Sequence, residues 1–348
     1  MQTQNRKLEH LRIACNQNVQ FREKTTGFEK IGFKGIDLEY KTLPEINKKE
    51  ISLETEFLGK KFSAPLMVEA ITGGCEEATQ INKDIAKACQ SLGIGMGLGS
   101  MRAMIEKPEL KETYFVRDVG PGIFLAGNIG AAQLLQYSAK QIEKALKEIG
   151  ADALAIHLNA AQEALQKEGD TNFRGVLKAI DSISRKLKKP VYVKEVGHGI
   201  SEGIAKKFAK TKIKAIDVAG AGGTSWTGID SLRGNKELGE TFWDYGIATA
   251  ESIVQCRKNF KGKIIASGGI RSGLDVAKAI ALGADLAGIA LPVLKAQQEA
   301  GSEGVKKYLE KVIEELRIAM FLSGAKNLKE LKKAKILGLK NEKNKNKN

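Results

Sequence analysis

Glycine-rich segments that follow short apolar runs of this sequence could bind phosphate groups. The clearest is Ser267–Gly273, in which Gly268 and Gly269 would let backbone N–H groups approach an anion. A helix predicted to begin at Leu274 would add the positive end of its dipole. A second segment, Gly97–Arg102, also carries serine and arginine side chains that suit an anion. This second segment and the similar Ala70–Gly74 could instead be tight turns that need glycine only for backbone conformation.

Polar side chains also occur in the apolar run Ala155–Asn159. Strand alternation places His157 and Asn159 on one face of this run. Gln162 and Glu163 follow closely, and Glu163 suits Mg2+, which proteins usually hold with one or two carboxylates plus phosphate oxygens. The alternative for His157 is a hydrogen-bonded core residue. The adjacent polar side chains favour an active site.

A lysine occupies a third apolar run, Val191–Glu195. A buried ammonium at Lys194 is costly unless it meets an anion, and the N1/O2 region of a reduced flavin would be one. The structural alternative is a pair between Lys194 and Glu195 with partners elsewhere in the chain.

Eight short apolar runs alternate with helical segments from residue 64 onward, and these elements must position the groups above. The alternation predicts parallel strands with right-handed crossovers, and eight repeats close a barrel whose active-site groups come from the C-terminal strand ends. A doubly wound open sheet is the alternative, but it usually has a single glycine fingerprint near its start. The runs are Pro65–Ala70, Ile94–Leu98, Gly122–Ala126, Ala153–Leu158, Val191–Glu195, Ala215–Val218, Lys263–Ala266 and Leu286–Ala290.

We therefore predict an α/β fold, a single (β/α)8 TIM barrel with an N-terminal extension and C-terminal helices. Residues 1–63 would form a cover segment that contributes to the active site, and residues 64–325 the barrel. Residues 326–348, with nine lysines against two glutamates, would form a solvated lysine-rich tail. Helices are predicted at Arg6–Asn16, Glu77–Leu92, Ala139–Ile149, Arg174–Leu187, Ile204–Ala209, Gly246–Arg257 and Leu274–Leu282, and an amphipathic one over Val305–Phe321.

Composition restricts the possible classes of protein. No apolar run approaches the roughly 20 residues that span a bilayer, and residues 1–7 lack the apolar stretch of a signal peptide, so we expect a soluble, cytoplasmic protein. The four cysteines show no CxxC spacing and are expected to be buried small hydrophobes. Of the net charge of +15, +7 lies in the last 23 residues, and aromatic residues are only 6%, which disfavours a nucleic-acid partner. An RNA-binding barrel stays open as an alternative.

The order and spacing of these motifs resemble those of the type 2 isopentenyl-diphosphate isomerase family, whose members are FMN-dependent (β/α)8 barrels. The similarity extends over nearly the whole chain. The cluster of His157-Leu158-Asn159, Gln162-Glu163 and Glu168–Thr171 distinguishes it from the related flavin-dependent oxidases. The other matching segments are Arg6-Lys7-x-Glu9-His10, Thr72-Gly73-Gly74, Gly99-Ser100-x-Arg102, Lys194–Gly197, Ala221–Thr224 and Ser267–Arg271. The sequence departs at Ala160-Ala161, where the family often has proline after HLN, and at His198, where it often has Phe.

The resemblance implies a set of binding residues. Substrate-binding residues would be Arg6, Lys7, Ser100, Met101, Arg102 and Gln162, and Glu163 would bind the metal. FMN would contact Ala70, Thr72, Gly73, Ser100, Asn128, Lys194 and Thr224 with its ring and ribityl chain, and Gly269, Ile270, Arg271, Ala290 and Leu291 with its phosphate.

The resemblance also implies the reaction. The family interconverts isopentenyl and dimethylallyl diphosphate in isoprenoid biosynthesis, with reduced FMN as acid and base, Mg2+ on the diphosphate and NADPH as reductant of FMN. His157, Asn159, Gln162 and Lys194 would be the catalytic-site residues, with His157 and Asn159 ordering the site rather than acting as principal acid or base. A homo-oligomer, tetramer or octamer, is implied, with no membrane partner.

Two other functions remain open from the sequence. An FMN-dependent oxidoreductase, of the hydroxy-acid oxidase or inosine-monophosphate dehydrogenase type, would share the Ser267–Ile270 loop and a barrel lysine. The oxidase would need a strand-end histidine base with an arginine clamp, and the dehydrogenase a loop cysteine nucleophile. Neither set is evident. A flavin-binding protein without catalysis is disfavoured by Arg6, Lys7, Gln162 and Glu163.

Overall fold

The computed structural model describes residues 2–22, 33–234 and 236–338. Eight parallel strands form a closed barrel in which each strand pairs with the next along the chain and the last pairs with the first. This confirms the predicted single (β/α)8 fold. The strands are β1 (Leu66–Val68), β2 (Gly95–Ser100), β3 (Leu125–Gly130), β4 (Ala153–His157), β5 (Val191–Lys194), β6 (Ala215–Asp217), β7 (Lys263–Ala266) and β8 (Leu286–Ile289).

The third strand lies further along the chain than its apolar run suggests. The prediction began at Gly122, but β3 begins at Leu125. The N–H of Gly122 donates to the side chain of Gln90, 2.8 Å away, so this residue belongs to the connection that precedes the strand. Asn128, near the end of β3, is thereby placed at the C-terminal end of the barrel.

Helices surround the barrel close to the predicted positions. The principal ones are α1 (Gln2–Asn16), α2 (Glu77–Leu92), α3 (Ala139–Glu148), α4 (Val176–Lys186), α5 (Glu202–Phe208), α6 (Trp226–Leu232), α7 (Thr249–Asn259), α8 (Gly273–Ala281) and α9 (Leu291–Leu322). Helix α9 is kinked at Ala300 and Gly301, where φ and ψ leave the helical region. Beyond the kink Val305, Leu309 and Leu316 are buried, as the amphipathic pattern predicts.

Short helices lie at Arg102–Glu106, Ala160–Leu165, Lys236–Phe242 and Leu328–Leu331, and 3-10 turns at Lys48–Glu50, Pro108–Thr113 and Ala132–Leu135. Within the described ranges, none of the helices has both the length and the apolar character that a bilayer span needs.

The N-terminal end of the barrel is closed by aromatic side chains. An antiparallel ribbon of Thr55–Phe57 and Lys60–Phe62 places its two phenylalanines beside Phe124. Phe57 also packs edge-on against Tyr192 of β5, with ring centroids 6.5 Å apart. Edge-to-face contacts of this kind stabilise the fold beyond the burial of aromatic surface alone. The opposite, C-terminal end of the barrel is open to form the site.

The first part of the predicted lysine-rich tail packs against the rest of the protein. Leu328 and Leu331 are buried, and Ile336–Leu337 pairs antiparallel with Asp37–Leu38. Lys332 forms an ion pair with Asp285, whose carboxylate lies 2.5 Å away. This differs from the expectation of a solvated tail from residue 326, because two leucines at helical spacing provide a docking face. Residues 339–348 lie outside the described residues.

Candidate active site

A cavity of about 570 Å³ opens at the C-terminal end of the barrel. Residues that follow all eight strands line it, and helix α1 covers part of its mouth. The structure brings together nearly all of the predicted site residues, which are Arg6, Lys7, Ala70, Thr72, Gly73, Ser100, Arg102, Asn128, His157, Asn159, Gln162, Glu163, Lys194, Thr224, Gly269, Ile270, Arg271, Ala290 and Leu291.

Met101 is the exception among the predicted substrate-binding residues. Its side chain is fully buried and does not line the cavity. The N–H of Met101 donates to the carbonyl of Asn128 at 2.8 Å, which turns the side chain into the barrel wall. Ser100 and Arg102, on either side of Met101 in the sequence, both line the cavity.

The loop after β7 forms an anion-binding corner of the cavity. Gly268 and Gly269 have φ values of +97° and +84°, which favour glycine. Among the described residues, no acceptor is found for the N–H groups of Gly269 and Ile270. Arg271 lies beside them, and its guanidinium donates to the carbonyl oxygens of Gly222 and Gly269 at 3.1 and 2.7 Å. Free N–H groups next to a guanidinium suit a phosphate monoester.

The sequence predicts that the helix beginning near Leu274 directs the positive end of its dipole at this corner, whereas the structure favours the helix that begins at Leu291. Helix α8 is closed by a capping box between Ser272 and Asp275, and the N–H of Gly273 donates to Glu315. The N–H groups of Ser272, Gly273 and Asp275 are therefore already used within the protein, and none of these residues lines the cavity. Helix α9 begins at Leu291 without a side-chain cap, and its first residues line the cavity. The dipole of α9 therefore faces the corner.

Lys194, at the end of β5, lies between two acidic side chains in the barrel interior. Its Nζ atom lies 3.6 Å from Glu69 and 3.7 Å from Asp217, and donates to the carbonyl of Glu195 at 2.7 Å. Burial alone would lower the pKa of Lys194, but the carboxylates of Asp217 and Glu69 raise it above its ordinary value. Lys194 is therefore a lysine that stays charged beside the cavity.

The Glu195 side chain does not provide the ion pair that the structural alternative required. Its carboxylate accepts hydrogen bonds from the N–H groups of Val196, Gly197 and His198. It thereby orders the loop after β5. The acidic side chains near Lys194 are instead Glu69, which follows β1, and Asp217 of β6.

His157, on the neighbouring strand β4, is uncharged in this environment. Burial, helped by the positive charges of Lys194 and Lys7, lowers the pKa of His157 to about 3. Its Nδ1 atom lies 2.8 Å from Oδ1 of Asn128, an arrangement in which Nδ1–H donates to the amide oxygen. The hydrogen bond fixes the ring and leaves Nε2 as an acceptor.

Glu163 is the centre of a hydrogen-bonded cluster in the segment that follows β4. One carboxylate oxygen accepts from Asn159 at 2.8 Å, and the other from the N–H of Asp170 at 2.7 Å. Asn159 also donates to Gln162 at 3.2 Å. Among the described residues no group of three or more His, Cys, Asp or Glu side chains could hold a metal. Glu163 would therefore hold Mg2+ as a single carboxylate, with the remaining ligands from substrate oxygens and water.

Helix α1 brings two cations to the mouth of the cavity. Lys7 donates to the carbonyl of Gly73, to that of Ser100 at 3.3 Å, and to Tyr114 Oη at 3.1 Å. Burial, with a smaller contribution from the charge of Arg6, lowers the pKa of Lys7 to about 8. Arg6 Nη1 lies 3.9 Å from Glu168. Together with Arg102 these side chains form a second region of positive charge.

Sequence reasoning assigned no role to several residues that shape the cavity. His10 lies 3.4 Å from Asp230 and packs edge-on against Trp226, both on α6. Arg233 binds Asp230, Glu9 and Glu168, and so connects α1 to the barrel loops. Helical spacing could have identified His10, which lies one turn from Arg6. The pairing with α6 is a long-range contact that the sequence does not display.

A barrel whose cavity has two separate regions suited to anions is typical of enzymes that bind phosphorylated ligands. The model of the FMN-dependent dehydrogenase family matches residues 2–108 and 116–337. The isopentenyl-diphosphate delta-isomerase of Pyrococcus furiosus is 46% identical over 344 residues, which is 95% of this chain and 86% of the relative. That of Methanothermobacter thermautotrophicus is 46% identical over 334 residues, or 95% and 92% of the two chains.

The chain therefore belongs to the FMN-dependent dehydrogenase family and, within it, to the type 2 isopentenyl-diphosphate isomerases. Solved structures of more distant proteins share the fold. A lactate oxidase of Pediococcus acidilactici superposes with a TM-score of 0.68 at 21% identity, covering 89% of this chain and 85% of its own. A flavocytochrome b2 variant superposes with a TM-score of 0.70 at 19% identity, covering 94% and 82%.

Proposed function

We propose that this enzyme interconverts isopentenyl diphosphate and dimethylallyl diphosphate, using bound FMN in its reduced form. The observation that carries the proposal is the presence of two anion-binding regions in one cavity. One consists of Gly269, Ile270, Arg271 and the start of α9, and suits the FMN phosphate. The other consists of Arg6, Lys7 and Arg102, and suits a substrate diphosphate.

The residues between these regions would hold the flavin ring and its ribityl chain. Ala70, Thr72, Gly73, Ser100, Asn128 and Thr224 line this part of the cavity. Lys194 would place its ammonium near the N1/O2 edge of the ring. The free N–H groups of Gly269 and Ile270 fit the phosphate, so the residues present suit FMN. Reduced flavin would supply acid and base chemistry at N5, and negative charge to stabilise a cationic alkene-derived transition state.

The substrate end of the cavity would work by charge and position. Arg6, Lys7 and Arg102 would bind diphosphate oxygens, with Ser100 as an additional donor. Glu163 would hold Mg2+ on the same oxygens, and Gln162 would contact the substrate. Trp226, Leu11 and Ala14 also line the cavity and would exclude water from the hydrocarbon part.

His157 and Asn159 would order the site. His157, neutral at any ordinary pH, would fix Asn128 through the Nδ1 hydrogen bond. Asn159 would hold Gln162 and Glu163 through its amide group. We assign neither residue the role of principal acid or base.

The proposal extends to the organisation of the chain. Residues 1–63 would serve as a cover whose first helix delivers Arg6 and Lys7 to the barrel of residues 64–325. NADPH would reduce the flavin, and the enzyme would work in the cytoplasm as a tetramer or octamer, without nucleic-acid or membrane partners.

The test is an anaerobic assay of the purified protein with isopentenyl diphosphate, FMN, Mg2+ and NADPH. Formation of dimethylallyl diphosphate that requires flavin reduction supports the proposal. A bound flavin without isomerisation would indicate an oxidoreductase, and the absence of flavin binding would reject both. Arg102→Ala should weaken substrate binding and keep FMN, whereas Arg271→Ala should weaken FMN binding.

A further inference from the structure

Two buried carboxyl groups flank the Lys194 ammonium. Glu69 follows β1 and is 5% exposed, and Asp217, at the end of β6, is fully buried. Their nearest oxygens lie 3.6 and 3.7 Å from Lys194 Nζ. The three side chains form a cluster in the barrel interior, and Glu69 and Lys194 also line the cavity.

Three oxygens of this cluster lack hydrogen-bond donors. Neither oxygen of Glu69, nor Oδ2 of Asp217, has a hydrogen-bond partner among the described residues. Asp217 Oδ1, by contrast, accepts from Ser267 Oγ at 2.7 Å and from the N–H of Ala219 at 3.2 Å. Two carboxylates against one ammonium would leave a net negative charge in a buried site with unsatisfied acceptors, which is costly.

A single proton on Glu69 resolves both problems. It makes the cluster electrically neutral, with charged Lys194 balanced by charged Asp217. It also turns Glu69 into a donor for the unpaired oxygen of Asp217. Asp217 is the better site for the negative charge, because two hydrogen bonds already stabilise its carboxylate.

We propose that Glu69 is a positioning residue that holds a proton beside Lys194, and so leaves the ammonium free to face the anionic edge of reduced FMN. This inference rests on the flavin site of the proposed function. An ionised Glu69 would compete with the flavin for Lys194 and would add a second negative charge next to it. A neutral Glu69 avoids both effects.

The groups that face Glu69 are consistent with this role. They are Lys194 and Tyr192 from β5 and Asp217 from β6, while β8 presents Gly288. Burial, followed by the charge of Asp217, raises the pKa of Glu69 to about 8. Burial also raises the pKa of Tyr192, so the phenol stays neutral. A further negative charge on reduced FMN would raise the pKa of Glu69 again.

Reduction of FMN should therefore be coupled to one extra proton on Glu69. The pKa of Glu69 is higher with reduced flavin than with oxidised flavin. At pH values between these two pKa values, Glu69 binds a proton when the flavin is reduced. The midpoint potential of bound FMN should then fall more steeply with pH above about 8 than in Glu69→Gln, which has the same shape and no titrating group. Glu168→Gln, which removes a carboxylate at the cavity rim, should keep the wild-type slope. Equal slopes in wild type and Glu69→Gln would overturn the proposal.

Infrared spectroscopy of the protein as purified provides a measurement that needs neither turnover nor added flavin. The C=O band of a buried protonated carboxyl group should disappear as pH rises through about 8, and should be missing in Glu69→Gln. A wild-type protein without that band at neutral pH would overturn the proposal. If both pH effects are present but no isomerisation occurs, the isomerase proposal fails and the assignment of Glu69 stands.

Discussion

The Nδ1 atom of His157 lies 2.8 Å from Oδ1 of Asn128, and the two residues are on adjacent strands of the barrel. This hydrogen bond, together with the low pKa of the imidazole, distinguishes an ordering residue from a proton-transfer residue. The pKa of His157 is lowered to about 3 by burial and by Lys194, so the ring is uncharged near neutral pH and its one N–H is used in the hydrogen bond to Asn128.

We therefore predict that His157→Ala lowers kcat by less than about 100-fold, since general acid–base catalysis is worth about 10²- to 10⁴-fold. FMN should stay bound, which the flavin absorbance will show. The pH dependence of kcat should have the same limbs in wild type and variant. Complete loss of activity with FMN retained would contradict this division of roles.

The second prediction concerns the pH dependence of substrate binding. Burial lowers the pKa of Lys7 to about 8, so the ammonium loses its charge as pH rises through that value. The KM for isopentenyl diphosphate should rise above about pH 8. In Lys7→Arg the rise should be absent, because arginine stays charged throughout this range.

Lys83→Arg is the matched control for this experiment. Lys83 pairs with Asp118 on the outside of the barrel, 2.7 Å away. The Lys83→Arg variant should therefore keep the wild-type dependence of KM on pH. A wild-type KM that does not change between about pH 7 and pH 9.5 would show that Lys7 does not titrate against substrate.

The third prediction concerns Mg2+. Glu163→Gln keeps the shape of the side chain and can still accept one hydrogen bond, but it loses the charge that a hard cation requires. The Mg2+ concentration needed for half-maximal activity should rise at least tenfold, with FMN affinity unchanged. Titration of activity with Mg2+ at fixed substrate measures this.

Asp170→Asn is the control for Glu163, because Asp170 also lines the cavity and its backbone N–H binds the Glu163 carboxylate. Its Mg2+ requirement should stay close to that of wild type. The same increase in both variants would mean that the total negative charge of this wall, rather than Glu163, holds the metal.

The fourth prediction tests the attachment of helix α1. Arg233 connects α1 to the barrel through Glu9, at 3.0 Å, and also binds Glu168 and Asp230. Arg233→Ala should raise the KM for isopentenyl diphosphate about tenfold, since hydrogen bonds to charged groups contribute about 1.5–3 kcal/mol. FMN affinity should change little, because the flavin residues belong to the barrel.

Arg185→Ala removes a comparable ion pair, with Asp181, from the outer face of α4 and should leave KM unchanged. If Arg233→Ala weakened the binding of FMN and of substrate equally, the ion pairs of Arg233 would support the whole barrel rather than the attachment of helix α1.

The barrel could be predicted from the sequence because its strands are apolar runs with regular spacing. Most predicted site residues also follow those runs directly, so the fold brings them to one end. The sequence does not show whether the side chain of Met101 faces the cavity or the barrel wall. In the structure it lies in the wall, and its role in substrate binding stays a prediction.

Glu69 shows why other parts of the site escaped prediction. It lies inside the apolar run Pro65–Ala70, where an isolated carboxylate was a usable signal. Its partners Lys194 and Asp217 are far away in sequence, and they meet only when the barrel closes. The hydrogen bond of the Gly273 N–H was likewise hidden, because its acceptor is Glu315 on a helix that is distant in sequence.

The measurement that tests the central claim most directly is the number of molecules of dimethylallyl diphosphate formed per NADPH oxidised, under anaerobic conditions with FMN and Mg2+. A double-bond transposition causes no net redox change, so the account predicts many product molecules for each NADPH and no product while the flavin stays oxidised. One product molecule per NADPH, or equal activity with oxidised flavin, would contradict it.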